Sequence, residues 1–431
     1  MAPRYGGDVV YANIEKNYDK ANKPPLFFWL VDVSYLVFGI NKLGAAFPAA
    51  LAAVLLCILV YLLGRKLDRN WTGFFAAIML ATTPYFMKHS RTCRPDSLFV
   101  CFLALAILAY ILAERNGRWW FVVGASLGLA VLTKQIAALI GVGVIGVDMI
   151  FSRRLGEFKK GRAWSGVALF LVVALPWHIA MLVQWGGSFL EGYFYPIRRI
   201  ILSDYSPKSW FFYLKGITKF LPWALLLPVG IVIAVREFRR ERAHRLIIIW
   251  MLVALAAFLL TRTKRLWYLF PALPPLAIIT ALGLQRLLSE KWRRVAASLA
   301  VVAFAATTVA AVAIPFKVDK EEWGDIRAAK PVLDRLAGDG PAYEFVERLP
   351  ERESGQTTLA AVALFYTDHT IIPVTGNGLP QLVKENDRIV IVARNKRLDD
   401  LLGVFQDSAE TSVEFSGKDY SVVLALRRLR E

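Results

Sequence analysis

The stretch Gly44–Gly64, GAAFPAALAAVLLCILVYLLG, runs 21 residues without a charged side chain. At about 1.5 Å per residue it reaches roughly 30 Å as a helix, the thickness of a bilayer's hydrocarbon core. Arg65 and Lys66 close it at one end and Lys42 stands just ahead of the other. Similar apolar runs recur from about Leu43 to Ala313. Ten spans are predicted, at about 44–64, 71–87, 97–113, 119–132, 135–151, 163–184, 210–235, 245–261, 266–285 and 295–314. After Phe316 the runs stop. The expected fold is an all-α polytopic membrane domain of about ten transmembrane helices plus an interfacial helix, followed by a small soluble α/β domain. Its parts are 1–43, an outer loop with the interfacial helix; 44–315, the membrane domain; and 316–431, the extracytoplasmic domain.

Composition agrees. Of 431 residues, 56% are hydrophobic and only 20% charged, against about 45–50% apolar for ordinary soluble domains. A soluble enzyme and a disordered basic tail are both excluded. The net charge of +18 could suggest nucleic acid, but the positions of the basic residues argue otherwise. One set of loops between spans, from Arg65–Arg69 through Arg153–Arg162 and Arg236–Arg245 to Arg286–Arg294, holds 19 Lys and Arg, and the alternate set holds 10. Short cytoplasmic loops carry the excess, so the second set, the N-terminus and the C-terminal domain are expected to face outward. The charge is an orientation signal, with no nucleic-acid partner implied.

Several of the 10 outward cations lie beside carboxylates or aromatics, as in Arg91-Thr-Cys-Arg-Pro-Asp96 and Arg262-Thr-Lys-Arg-Leu-Trp-Tyr268. Singly, each could be an anchor snorkelling from a helix end. Four such loops on one face suit an anionic head group such as a phosphate. Trp119, Trp120, Trp177, Trp185, Trp210, Trp223 and Trp267 mostly fall near span ends, as an aromatic belt would place them. Cys57, Cys93 and Cys101, and the scattered His89, His178, His244 and His369, form no metal-ligand spacing.

Leu26–Ile40 is apolar and aromatic but only 15 residues long, and contains Asp32. It is too short to span and reads as an interfacial helix, with Pro25 suited to the first turn. Beyond residue 316, helices are predicted at Trp323–Leu336, Gln356–Thr367 and Lys396–Phe405. Strands are predicted at Thr370–Val374, Arg388–Ala393 and Tyr420–Leu426. No phosphate loop, nucleophile elbow or metal signature appears there.

Four segments, Lys23–Trp29, Arg91–Asp96, Gly128–Lys134 and Thr263–Pro271, resemble motifs of one superfamily, the GT-C membrane glycosyltransferases, and within it the bacterial relatives of the lipid A aminoarabinose transferase and the protein mannosyltransferases. Lys23-Pro-Pro-Leu-Phe-Phe-Trp29 is similar to their KPPL-x-x-W outer-loop segment. Arg91-Thr-x-x-x-Asp96 resembles a second acidic motif. Gly128-Leu-Ala-Val-Leu-Thr-Lys134 resembles the GLA-x-L-TK turn, and Thr263-Lys-Arg-x-x-Tyr-Leu-Phe-Pro271 the K-R-x-x-Y-L-x-P segment. All four fall on the predicted outer face. The resemblance covers roughly residues 20–315.

It implies transfer of a sugar from a polyprenyl-phosphate donor to a lipid, glycan or protein acceptor at the outer face of the bacterial cytoplasmic (inner) membrane, with membrane lipids as further partners. By motif position, Lys23, Lys264, Arg265 and Tyr268 would bind the donor phosphate and Asp96 would be catalytic. Arg91, Lys134, Glu191 and Arg198 are candidate supports, the last two from the long outer loop Trp185–Trp210. Whether a divalent metal takes part is not written in the sequence. The family's main carboxylate motif belongs ahead of Lys23. Asp8, Glu15 and Asp19 stand there without its Asp-Glu context, and Asn22 replaces a Glu common in close relatives. The expectation is a start internal to a longer protein, lacking the first transmembrane helix; the other reading is a catalytically degenerate copy. The rival class is a transporter or flippase of lipid-linked substrates. Repeat symmetry and midplane charges would mark one, but the charges cluster at one face and no repeat is seen.

Overall fold

A computed structural model describes residues 23–159, 161–202, 210–259, 264–313, 325–326, 328–338, 340–345, 371–374, 376–406 and 409–427. The chain divides into two compact units, Met1–Ile314 and Pro315–Glu431.

In the first unit the helices longer than a single turn are α1 (Leu26–Phe38), α2 (Lys42–Leu67), α3 (Asn70–Ala81), α4 (Pro84–Ser90), α5 (Asp96–Leu112), α6 (Trp119–Lys134) and α7 (Leu139–Phe151). They continue with α8 (Arg162–Leu202), α9 (Leu227–Glu237), α10 (Arg242–Leu259), α11 (Leu273–Leu287) and α12 (Glu290–Ala313). Among the described residues, four helical stretches are long and apolar enough to cross a membrane: Lys42–Leu67, Arg162–Phe194, Leu266–Leu287 and Glu290–Val309. Five shorter apolar helices, α1, α3, α5, α6 and α7, accompany them.

Prolines break two of the runs predicted as continuous spans. The run at 71–87 ends its helix at Ala81 and restarts at Pro84, which occupies a first-turn position. The run at 210–235 is a series of short 3₁₀ and α turns before α9, with Pro222 between two of them and Pro228 in the first turn of α9. Proline has no N–H to give to the carbonyl four residues earlier, and its ring clashes with that carbonyl, so the continuous helix gives way at these points. The span predicted at 266–285 likewise opens as a 3₁₀ segment, Leu266–Ala272, around Pro271.

Helix packing here depends on glycine. A side chain on Gly124 of α6 would collide with the Gly166 backbone of α8, and one on Gly283 of α11 would stand 2.7 Å from the Gly230 nitrogen of α9. These are close backbone approaches of the small-residue kind used between helices in lipid. The buried core runs through α2, α3, α5, α6 and α11, with Leu56, Leu63, Phe99, Leu103, Ile107 and Ile278 fully enclosed. Helix α1 packs along α2 and touches α6; Phe27 and Val31 are buried while Trp29, Val33 and Leu36 stay exposed.

The second unit holds α13 (Lys330–Ala337), β1 (Ala342–Phe345), β2 (Ile371–Val374), α14 (Leu379–Glu385), β3 (Arg388–Arg394), α15 (Leu398–Val404), β4 (Ala409–Ser416) and β5 (Tyr420–Arg427). The sheet order is β2-β1-β3-β5-β4. Strands β1, β2 and β3 are parallel, while β5 joins β3 and β4 antiparallel. Period-two alternation builds two cores. Val390, Val392, Tyr420 and Val422 meet Leu333 of α13, whereas Ile389, Ile391, Val423 and Ala425 meet Leu379, Val383 and Leu401 of α14 and α15. The three predicted strands match β2, β3 and β5 within a residue. Strands β1 and β4 are additional, and Gln356–Thr367 lies outside the described residues.

Candidate functional site

Asp96 opens α5, and only 3% of it is exposed. A carboxylate in the first turn suits the partial positive charge of a helix N-terminus. Lys134 closes α6, where Gln135, at φ +52°, ends the helix. Because α5 and α6 are joined by a short turn and pack side by side, these two ends meet. Lys134 Nζ donates to Asp96 Oδ1. Arg94 Nε lies 3.6 Å from the other carboxylate oxygen, Oδ2. Both oxygens of the buried acid therefore face cations. The Lys134 ammonium also sits 5.6 Å from the Phe99 ring centre, a cation–π distance.

The 3₁₀ segment Leu266–Ala272 packs on α5 and α10 and brings a third motif to the same place. The Arg94 guanidinium lies 4.6 Å from the Trp267 ring centre, and Arg265 lies 5.5 Å from it. Trp267 is thus held by two arginines, a role the belt reading of its position does not contain. Lys264 is 3% exposed. Tyr268 is half-buried, and its backbone N–H donates to the Arg265 carbonyl at 3.0 Å.

Around this cluster lie two residues that the sequence reading passed over. The His89 ring is 4.1 Å from Tyr85 and 6.0 Å from Phe270, centre to centre, with Nδ1 3.0 Å from the Tyr85 carbonyl. Burial, with Arg94 and Lys88 adding to it, holds His89 below the usual imidazole range, against the Tyr85 hydrogen bond and Asp96. The other is Arg94 itself. It stands two residues before Asp96, and a basic residue at that spacing was the available signal.

The remaining candidates fall into two groups. Arg91 is exposed, and it is Arg94 that pairs with Asp96. Lys23 is exposed at the head of α1, whose Tyr35 phenol is pushed up to about 12 by burial, with Cys93 and Asp32 nearby. That proximity puts α1 beside the Arg91–Asp96 loop. Glu191 and Arg198 are exposed on the part of α8 beyond a kink at Gly186, φ +52°, and make no described contact with the Asp96 cluster. Asp8, Glu15, Asp19 and Arg199 have side chains outside the described residues. Among the described residues, no group of three His, Cys, Asp or Glu side chains converges as a metal site.

A second charged cluster lies at the other end of α5, roughly 20 Å along the helix. Asp148 of α7 is fully buried. It accepts from Tyr110 Oη at 2.8 Å and from Arg242 at 2.7 Å, with Arg245 3.9 Å away. Arg242 also pairs with Glu114, which Arg154 meets at 3.0 Å.

Residues 22–179 match the family described as dolichyl-phosphate-mannose-protein mannosyltransferase. An undecaprenyl phosphate-alpha-4-amino-4-deoxy-L-arabinose arabinosyl transferase of Pseudomonas aeruginosa (strain LESB58) is 31% identical over 271 residues, 60% of this chain and 48% of that protein. An uncharacterized protein of Aquifex aeolicus (strain VF5) is 28% identical over 288 residues, 65% of this chain and 54% of its own. The chain spans about half the length of the curated relatives it matches. Among solved structures, ArnT from Cupriavidus metallidurans bound to undecaprenyl phosphate superposes with a TM-score of 0.74 at 17% identity, covering 98% of this chain and 92% of that one. The archaeal oligosaccharyltransferase AglB from Archaeoglobus fulgidus, in complex with an inhibitory peptide and a dolichol-phosphate, gives 0.51 at 12% identity, covering 93% and 66%. The chain resembles the GT-C membrane glycosyltransferases of the aminoarabinose-transferase and protein mannosyltransferase kind, and the mostly helical fold with a small C-terminal sheet is ArnT-like.

Proposed function

We propose that this chain carries the donor-phosphate end of an integral membrane glycosyltransferase, which moves a sugar from a polyprenyl-phosphate donor to a lipid, glycan or protein acceptor. The observation that carries the reading is the convergence of three dispersed segments, Arg94–Asp96, Lys134 and Lys264–Trp267, in one cationic cluster around a buried carboxylate. The likeness to transferases of lipid-linked sugars supports it. In this reading the cluster faces outward from a bacterial inner membrane, in keeping with the 19-to-10 division of basic residues, and residues 316–431 form an extracytoplasmic domain.

The chemistry follows from the charges. Breaking the bond between sugar and phosphate leaves negative charge on the departing phosphate oxygen. Fixed cations in a site of low dielectric stabilise that charge more than they stabilise the donor. Lys264 and Arg265, with Tyr268 as hydroxyl donor and Lys23 from just ahead of α1, are the groups assigned to it. With Lys134 on Oδ1 and Arg94 on Oδ2, Asp96 acts by arranging these cations. The attacking hydroxyl would then need its carboxylate from elsewhere.

The test is transfer itself. The purified protein in proteoliposomes, given a radiolabelled polyprenyl-phosphate sugar and a mixture of membrane lipid and glycan acceptors, should release polyprenyl phosphate at a rate that falls at least tenfold in Asp96→Ala. Release at an equal rate in that variant would sink the assignment.

A further inference from the structure

The C-terminal unit contains a cleft of about 470 Å³ lined by Phe345, Gly376, Lys396, Arg397, Asp400 and Val404. Its position in the topology is informative. Phe345 ends β1, Gly376 lies just past the end of β2, and Lys396 and Arg397 follow the end of β3. All three strands are parallel, so the cleft opens at their carboxyl ends. From β1 the chain leaves for β2 on one side, whereas from β3 it leaves for β4 and β5 on the other. Such a divergence marks a topological switch point of the sheet, and ligands of open α/β sheets bind outside the carboxyl ends of the strands at such points.

The lining chemistry is divided. Two cations, Lys396 and Arg397, stand at the turn after β3, and Asp400 follows one helical turn later. The wall is apolar, from the buried Phe345 and from Val404. A Cβ on Gly376 would stand 3.3 Å from Val404 and 3.7 Å from the Phe345 ring, so any larger side chain there would intrude on the cleft. A phosphate matches the cationic side. Asp400 would repel a second anion but accepts from hydroxyls. The apolar wall suits the C–H face of a sugar ring, and one aromatic ring alone offers no sandwich for a nucleobase. The volume is that of a small-molecule site.

We infer that this cleft, at the carboxyl ends of β1, β2 and β3, binds a phosphorylated sugar, with its phosphate on Lys396 and Arg397 and its hydroxyls on Asp400. The ligand is either a free sugar phosphate or the phosphorylated sugar head of a membrane lipid. The cleft is built entirely from residues of the C-terminal unit, and the inference does not depend on the transferase reading.

Hydrogen–deuterium exchange on the full chain in nanodiscs tests this, because it reports where protection occurs. Glucose 1-phosphate at millimolar concentration in one arm, and a synthetic phosphoglycolipid incorporated in the nanodisc in the other, should each be compared with no ligand. Protection of several-fold at 376–379 and 395–404 in either arm is expected, and the arm that gives it identifies the source. The protection should disappear in Lys396→Glu/Arg397→Glu and in Gly376→Phe, yet survive in Lys264→Ala. Unchanged exchange of β3 and β5 in the variants without ligand would show that the sheet is intact. No protection in either arm, or protection that persists in both cleft variants, would overturn the site. Equal protection by inorganic phosphate alone would overturn the sugar assignment.

Discussion

Lys134 and Asp96, 38 residues apart in sequence, form an ion pair that joins the C-terminus of α6 to the N-terminus of α5. Each charge also suits its own helix end, the lysine at the negative pole and the aspartate at the positive one. The pair therefore closes the open end of a helical hairpin while holding a carboxylate in place beside Arg94 and Trp267.

Breaking this pair from the lysine side should be costly. Removing one partner of a buried ion pair typically costs about 3–5 kcal/mol, most of it from the stranded charge. In Lys134→Met, Arg94 remains 3.6 Å from Asp96, so a loss near the lower end is expected. Thermal unfolding of the detergent-purified variant should show a clear drop in Tm, and Lys134→Met/Asp96→Asn should recover part of it. A double variant less stable than the single one would mean that the two side chains do not act as a pair.

The cluster at the other end of α5 gives a different expectation. Asp148 is fully buried and accepts from both Tyr110 and Arg242. Tyr110→Phe removes one donor to a buried charge and should cost about 1.5–3 kcal/mol. Asp148→Ala should cost more, about 3–5 kcal/mol, because Arg242 and Arg245 lose their shared partner. Both variants should unfold earlier yet keep normal KM for the donor, since neither residue lies near Asp96. A raised KM with unchanged Tm would contradict a purely architectural role.

Sidedness can be checked with a native thiol. Cys93 is exposed in the Arg91–Asp96 loop, whereas Cys101 is buried and Cys57 partly so. An impermeant maleimide added to intact cells should label Cys93, and Cys93→Ser should abolish the signal. In a Cys93→Ser background, Gly156→Cys, in the short helical turn that connects α7 and α8, should react only after the membrane is opened. The reverse pattern would invert the assigned orientation.

Much of the candidate cluster around Asp96 was legible because its charged groups sit at helix ends, which sequence marks well. Asp96 after Pro95, and Lys134 after an apolar run, both fell where the helices begin and end. Their mutual contact was not legible, since it depends on which helices are neighbours. Arg94 and Trp267 escaped for the same reason: a cation–π contact between residues 173 positions apart has no periodicity to betray it. In the fold, the two broken spans carried their own warning in Pro84 and Pro222, which hydropathy alone overrides. Strand β4, Ala409–Ser416, mixes polar and apolar residues because it is an edge strand paired only with β5. Without a doubly buried face it lacks the β-branched run that revealed β3.

In the C-terminal unit, Asp325 accepts from the backbone N–H groups of Asp419 and Tyr420. Burial pushes its pKa upward, but these bonds and Lys418 outweigh that and hold the carboxyl below the usual range. A carboxyl with a depressed folded pKa stabilises the fold above its unfolded value, near 3.8, and loses that contribution as pH falls through the folded value. Asp325→Asn should therefore loosen the Gly417–Tyr420 turn at pH 7 and differ progressively less from the parent below about pH 4. Amide exchange at 417–421 across pH measures this. Gly417→Ala should mimic the loss at neutral pH, because its Cβ would collide with the Asp325 carboxyl. A gap between Asn and Asp forms that widens in acid would reverse the sign and refute the argument.

The last prediction concerns charge at the donor phosphate. Lys264 is buried and Arg265 stands over Trp267, beside the cation that pairs with Asp96. If these side chains stabilise the departing phosphate, removing one should cost about 2–4 kcal/mol in the transition state, by analogy with the loss of one oxyanion donor. A tenfold rate change corresponds to about 1.4 kcal/mol, so single-turnover transfer should fall roughly 30- to 1000-fold in Lys264→Ala and in Arg265→Ala. Lys159→Ala and Arg240→Ala carry the same loss of charge on exposed positions in the basic loops, and should change the rate less than about threefold. The comparison separates local from global electrostatics, because all four variants lower the net charge equally. It also separates chemistry from folding if Lys264→Met, which keeps the apolar stem, is as slow as Lys264→Ala but unfolds closer to the parent. Should Lys264→Ala and Arg265→Ala transfer as fast as the loop controls, the cations around Asp96 are membrane anchors and the donor-phosphate assignment fails.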